Sequence, residues 1–114
     1  MIDNNARNAV VTYVVDGDTF DAEVYLGYNV KTTARFRLLG IDTAEMRDGN
    51  PSMRAKAIKG KQYTKTRLLG KTISIHTEGF KKDSFGRYLG TVFIDGKDYN
   101  AELLDTGLAE VYKR

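Results

Sequence analysis

The 114-residue chain has no cysteine, no tryptophan, a single proline and a single histidine. Without cysteine there is no disulfide framework, no thiolate metal site and no thiol nucleophile. The one histidine, His76, sits in an alternating segment that reads as structural. Ser52, Ser74 and Ser84 have no His–Asp partners nearby, which argues against an acyl-transfer triad. No apolar run approaches the ~20 residues a membrane-spanning helix needs. The first residues, Met1-Ile2-Asp3-Asn4-Asn5-Ala6-Arg7, lack the basic-then-apolar pattern of a signal peptide. The chain reads as soluble, with its compartment unassigned. Acidic residues are also missing over one long stretch. Pro51 to Thr77 contains no Asp or Glu but carries Arg54, Lys56, Lys59, Lys61, Lys65, Arg67, Lys71 and His76. Such a stretch reads equally as a surface that attracts phosphate backbones or as a solvated helix face.

What is present fits one globular domain. The length suits a single domain, and 41% hydrophobic with 29% charged residues places the chain among ordinary folded proteins. Ala9 to Val15 is rich in Val, Thr and Tyr and reads as a strand. Asp16-Gly17 signals a turn. Thr19 to Leu26 alternates Phe20, Ala22, Val24 and Leu26 against Asp21, Glu23 and Tyr25, as a half-buried strand does. After a turn at Gly27-Tyr28-Asn29, a third strand is expected from Val30 to Ile41, with Phe36 and Leu38 opposite Arg35 and Arg37.

A polar loop from Met46 to Pro51 leads to a helix expected over Ser52 to Leu69, stopped by Gly70. Gly60 inside it should cost about 1 kcal/mol relative to Ala. Thr72 to Thr77 and Tyr88 to Ile94 read as further strands separated by a loop over Glu78 to Arg87. Asp95-Gly96 is a hairpin signal. Asn100 is expected to cap a short helix running to Asp105 and closed by Gly107. The fold class is therefore α+β, mainly β: a five-stranded OB-type barrel with a helix between strands 3 and 4 and a short C-terminal helix.

The second and third strands must form a hairpin. In an antiparallel hairpin the index sums of facing residues are nearly constant. Asp18 at one strand's start should then lie near Asp42 at the other's end. Two carboxylates held that close repel unless a cation or proton lies between them. Hard oxygen ligands suit Ca²⁺ or Mg²⁺. Arg37 lies near the same rim, and its planar fork matches phosphate. Glu45, one short turn after Asp42, can hold or deprotonate a water. Together these are the parts phosphoryl transfer requires. Each also has a purely structural reading. Asp18 can stabilise a turn, Asp42 can cap one, Glu45 can be a solvated acid, and Arg37 can form a surface ion pair.

Three segments carry a resemblance. They are Val15-Asp16-Gly17-Asp18-Thr19, Phe36 through Glu45, and Asp83-Ser84-Phe85-Gly86-Arg87. In order and spacing they resemble the signature segments of the staphylococcal nuclease family. Gly107-Leu108-Ala109 is a fourth, weaker match. The similarity runs from about Ala9 to Tyr112.

The resemblance implies a Ca²⁺-dependent nuclease acting on DNA and RNA and leaving 3′-phosphate ends, and single strands are expected to be preferred because the target strand must enter a cleft with its backbone accessible. It implies that Asp18 and Asp42 bind Ca²⁺ with the backbone carbonyl of Thr43. Glu45 would be the general base, and Arg37 and Arg87 would clasp the scissile phosphate. Phe85 and Tyr112 would contact nucleic acid. The expected assembly is a monomer, a single domain over residues 1–114 that lacks the last helix found in the best-known members.

Some positions depart from the family pattern. Ala44 stands where Pro is common before the Glu, which loosens the loop holding Glu45. Ser84 and Phe85 stand where the best-known members have Lys and Tyr, which implies weaker nucleotide affinity. Only one C-terminal tyrosine, Tyr112, matches the two that often line the base site. The alternative function is a non-catalytic nucleic-acid-binding OB module. A weaker one is a protein-interaction domain. Degenerate modules usually lose part of the set Asp18, Arg37, Asp42, Glu45 and Arg87, and this chain keeps all five.

Overall fold

The computed structural model describes residues 6–45 and 49–112. Residues 46–48 of the expected Met46–Pro51 loop lie outside the described residues. The elements run β1 (Ala6–Asp16), β2 (Thr19–Gly27), β3 (Val30–Leu38), β4 (Ile41–Thr43), α1 (Pro51–Leu68), β5 (Thr72–Lys82), β6 (Tyr88–Ile94), β7 (Lys97–Asp98), α2 (Tyr99–Asp105) and β8 (Ala109–Val111).

The alternation in the first strands decides the architecture. Val11, Val14, Phe20, Ala22, Val24, Phe36 and Leu38 all turn inward. The sheet order is β3-β2-β1-β5-β6-β7, and a parallel pairing of β3 with β6 closes β1, β2, β3, β5 and β6 into a barrel. The seam pairs Phe36 with Tyr88, Arg37 with Leu89 and Leu38 with Gly90. Closure removes the exposed strand edges that an open sheet would carry. Inside, Phe20 and Phe36 stack with ring centroids 5.8 Å apart. Ile73, Ile75, Val92 and Ile94 complete the lining, and Leu68, Tyr99 and Leu103 from the helices close one end. Burying each large aliphatic or aromatic side chain contributes about 1.5–3 kcal/mol.

The β2–β3 hairpin turns through Tyr28 and Asn29, both with positive φ. That is the geometry whose twist matches the flanking strands. The Asp95-Gly96 hairpin forms as expected between β6 and β7.

Three features differ most from the sequence reading. The third strand does not run to Ile41. Gly40, at φ +80°, turns the chain where an L side chain would be strained. Ile41–Thr43 then leaves β2 and pairs with β8. The fourth strand does not stop at Thr77. It continues to Lys82 across an irregularity, and Lys82 pairs again with Tyr88. The loop therefore shortens to the residues between Lys82 and Tyr88. Asn100 does not cap α2. Asp98 does, its side chain accepting from the amide of Ala101 at 3.0 Å. Asn100, two residues after the cap, is buried and faces the barrel.

α1 starts where Asn50 accepts from the amide of Ser52 and Pro51 takes the first turn. Its buried stripe is Ala57, Gly60, Thr64 and Leu68, so the small residues face inward and the backbone packs close. Among the described residues, no helix is long and apolar enough to cross a membrane.

Candidate active site

The turn between β1 and β2 and the corner between β3 and β4 meet at one end of the barrel. Asp18 lies on the turn and is nearly buried, at 7% exposure. Its backbone carbonyl accepts from the amide of Leu38 at 2.9 Å, which continues the β2–β3 register in which Thr19 faces Arg37. Asp42 is thus not opposite Asp18 in the ladder. The Gly40 corner folds it back towards Asp18. Oδ2 of Asp18 accepts from the amide of Thr43 at 3.1 Å, and Oδ1 accepts from the Thr19 hydroxyl at 3.1 Å.

Arg37 joins the two acids. Its Nη2 lies 3.5 Å from Oδ2 of Asp18 and forms a hydrogen-bonded ion pair with Oδ1 of Asp42. Its Nη1 donates to the carbonyls of Leu38 at 2.8 Å and Ile41 at 2.7 Å. The guanidinium carbon sits 5.8 Å from the Tyr112 ring centre, a cation–π distance. Two carboxylates from separate segments therefore share one cationic nitrogen.

Asp16 adds a third acid that the sequence reading treated only as part of a turn. The amide of Asp18 donates to its Oδ1 at 3.2 Å. Burial, then the hydrogen bond and charge of Asp18, push its carboxyl up to about 7. Asp18 moves the other way. Burial raises it, but the hydrogen bond with Asp16, the charge of Arg37 and the Thr43 amide outweigh that and hold it below the ordinary carboxylate range.

Arg87 comes from the turn before β6. Its Nε and Nη2 both lie 2.9 Å from Oδ2 of Asp83. Oδ1 of Asp83 accepts from the amides of Phe85 and Arg87, both at 2.9 Å. Burial pushes the Asp83 carboxyl up, and these donors more than reverse it, leaving it lowered. Arg87 also lies over Phe85, 5.0 Å from the ring centre, while that ring stays 78% exposed. Asp83 is thus an orienting residue the sequence reading left without a role. Its signal was present: Asp three residues before Gly is a side-chain-to-backbone turn pattern.

A single cleft of about 840 Å³ is lined by Asp18, Arg37, Asp42, Thr43, Glu45, Phe85, Arg87 and Tyr112, with Asp16 and Asp83 beside them. All eight site residues named from the sequence therefore line one cavity. Glu45 is exposed there, two residues past the end of β4. His76 is exposed on the outside of β5, 3.2 Å from Ser74 Oγ and against the ring of Phe93.

Among the described residues, no three His, Asp or Glu side chains converge closely enough to hold a metal by themselves. The donor set still fits a hard cation. Asp18 and Asp42 are oxygen donors already gathered around a positive charge, and a hard cation held there would need further oxygens from backbone, water or a ligand.

The chain is similar in sequence to known proteins. The sequence pattern of the family described as Staphylococcal nuclease homologue matches residues 35–114. That span holds Arg37, Asp42, Thr43, Glu45, Phe85, Arg87 and Tyr112, and the fold adds Asp18. An uncharacterised protein of Methanocaldococcus jannaschii is 36% identical, over 90% of this chain and 58% of its own length. Endonuclease YhcR of Bacillus subtilis is 33% identical, over 90% of this chain but only 9% of its own length. The thermonuclease of Staphylococcus intermedius is 27% identical, over 94% of this chain and 61% of its own length. The chain thus spans less than two thirds of each of these relatives. With the pattern covering more than half of the chain, and its residues meeting in one cleft of a closed five-stranded barrel, the chain belongs to the staphylococcal nuclease homologue family.

Proposed function

We propose that the protein is a Ca²⁺-dependent nuclease that hydrolyses phosphodiester bonds of DNA and RNA. The observation that carries this reading is the convergence of Asp18, Arg37, Asp42, Glu45 and Arg87 on one cleft. The names of two relatives, an endonuclease and a thermonuclease, support the same reaction class.

Asp18, Asp42 and the carbonyl of Thr43 would hold Ca²⁺. When bound, the cation supplies charge neutralisation and polarises the scissile phosphate. Glu45, exposed in the cleft, accepts a proton from the attacking water. Arg37 has Nη1 committed to two backbone carbonyls, so its Nε–Nη2 edge is the face a phosphate takes, once Asp42 releases it. Arg87, aimed by Asp83, supplies the second cation and assists the leaving oxygen, leaving a 3′-phosphate. Preorganised donors of this kind stabilise charge that grows in the transition state. Phe85 and Tyr112 present ring faces at the cleft on which unpaired bases can stack, which favours single strands.

The test is incubation of single-stranded DNA with the protein in Ca²⁺ and in excess chelator. Cleavage is expected only with Ca²⁺, and the products should carry 3′-phosphates. Cleavage that continues unchanged in chelator removes the metal role. No cleavage under either condition, with Ca²⁺-independent binding of the DNA, points to a binding module instead.

A further inference from the structure

The turn that carries Asp18 is held from behind by both helices. Thr64 of α1 donates its Oγ1–H to the carbonyl of Gly17 at 2.7 Å. The hydroxyl of Tyr99, the first residue of α2, lies 2.7 Å from the same Oγ1. A threonine hydroxyl has one proton and a carbonyl can only accept, so that proton belongs to Gly17. Tyr99 must then be the donor to Thr64. The direction of the relay is fixed: Tyr99 Oη–H to Thr64 Oγ1–H to the Gly17 carbonyl. Thr64 and Tyr99 are both fully buried, at 0% exposure. A buried partner left unsatisfied there is costly, because no water replaces it.

The receiving turn is packed as tightly as it is bonded. A Cβ on Gly17 would lie 2.8 Å from Thr43 Cγ2 and 3.1 Å from the backbone carbon of Gly60. Gly17 therefore lets the turn wedge between α1 and β4. Beyond it, Oδ2 of Asp18 accepts from the Thr43 amide. Helix, turn and β4 form one stack, with the relay at its back and the cleft at its front. Neither Thr64 nor Tyr99 lines the cleft.

We propose that Thr64 and Tyr99 are positioning residues for the cleft: their relay fixes the Asp16–Asp18 turn so that the Asp18 carboxylate meets Thr43 and Arg37. The proposal rests on the nuclease reading for its catalytic consequence, but its structural claim is testable without it. In Thr64→Val the shape is kept while Gly17 and Tyr99 both lose their partner. In Thr64→Ser the relay is restored. In Tyr99→Phe only the first link is lost.

Amide hydrogen exchange of Asp18 and Thr43 is the direct readout, because both amides bond to carboxylates of the stack. In Thr64→Val their exchange should speed up by about tenfold relative to that of Val92 in the barrel wall, the scale of one lost hydrogen bond. Calorimetric Ca²⁺ affinity and kcat on a single-stranded oligonucleotide should each fall by about tenfold, with KM little changed. Thr64→Ser should restore all three to within about threefold, and Tyr99→Phe should fall between.

Unchanged exchange at Asp18 and Thr43 in Thr64→Val overturns the proposal. So does an equal acceleration across the whole barrel, which would mark a stability role only. If the wild type neither binds Ca²⁺ nor cleaves, the nuclease reading fails while the exchange data still decide the positioning claim. If Thr64→Val does not fold, Tyr99→Phe decides it by the same measurements.

Discussion

Arg37 and Arg87 share a chemistry but are held differently. Arg37 is anchored by two backbone carbonyls and two carboxylates. Arg87 is gripped by one carboxylate, Asp83, and rests on the ring of Phe85. In both, the planar fork sets the direction of the charge, which a lysine ammonium cannot copy. Arg87→Lys should therefore lower turnover by about 100-fold or more, roughly 3 kcal/mol by analogy with a lost oxyanion donor. Melting should change little, since the side chain contributes one partly exposed ion pair. Steady-state kinetics beside a thermal melt checks this, and near-native turnover in Arg87→Lys contradicts the phosphate role.

α1 shows how an element can be ordinary in pattern and specific in contact. Its inward stripe is small from Ala57 through Gly60 to Thr64, because the Asp18 turn and β4 press against it, and only Leu68 at its end is large. Its two closest glycines should respond oppositely to alanine. Gly17→Ala forces Thr43 and the Gly60 backbone apart and should destabilise by about 1–3 kcal/mol. Gly60→Ala places its Cβ 3.9 Å from Thr43, an ordinary contact, and should gain up to about 1 kcal/mol of helix propensity. Urea denaturation of the two variants measures both signs.

The same helix is tied to α2 by Glu102, which accepts from Arg67 at 2.7 and 2.8 Å and from the Tyr63 hydroxyl at 2.8 Å. The Arg67 hydrogen bonds lower the Glu102 carboxyl; burial opposes them and Tyr63 assists. A lowered carboxylate stabilises the fold above its unfolded value, about 4.3, and loses that contribution as pH falls through the lower folded value. Wild type should therefore melt above Glu102→Gln at pH 6, and the gap should close as pH drops below 4. A gap independent of pH would mean that Glu102 acts through packing alone.

At the scale of the molecule, one buried amide ties α2 to the barrel seam. The Asn100 side chain accepts from the Val92 amide at 3.1 Å and donates to the carbonyls of Leu39 and Gly90 at 3.1 and 3.3 Å. It thereby locks α2 to β6 and to the corner that leads into Asp42. Asn100→Ala leaves the Val92 amide and the Leu39 carbonyl without this partner, while the Gly90 carbonyl keeps the Leu39 amide, and should cost about 1–3 kcal/mol. For a domain with a total of ~5–15 kcal/mol this is a large share. Equilibrium denaturation measures it, and a loss below about 0.5 kcal/mol would show that water or a backbone shift replaces the side chain.

The local pattern of the sequence determined the five barrel strands, the hairpins and α1, but not β4 and β8. Alternation in Thr19 to Leu26 and the turn residues at Tyr28-Asn29 and Asp95-Gly96 act over a few residues, so they are legible without the fold. The motifs around Asp18, Arg37, Asp42 and Arg87 were legible too, but as types of residue at a spacing. Their meeting in space was decided by tertiary structure, because the Gly40 corner, not the hairpin register, returns Asp42 to Asp18. Asn100 looked like a helix cap because a cap and a buried staple use the same side chain. Only the barrel wall at Val92 and Gly90 distinguishes them. Gly60 reads as a propensity cost in the helix, and the packing leaves room for a Cβ there, 3.9 Å from Thr43. Thr64 and Tyr99 had no signal of their own, since hydrogen bonds between residues 35 to 47 positions apart leave no periodicity in a chain. Contacts within a turn are set by neighbouring residues. Contacts across the core are set by which faces the closed barrel brings together.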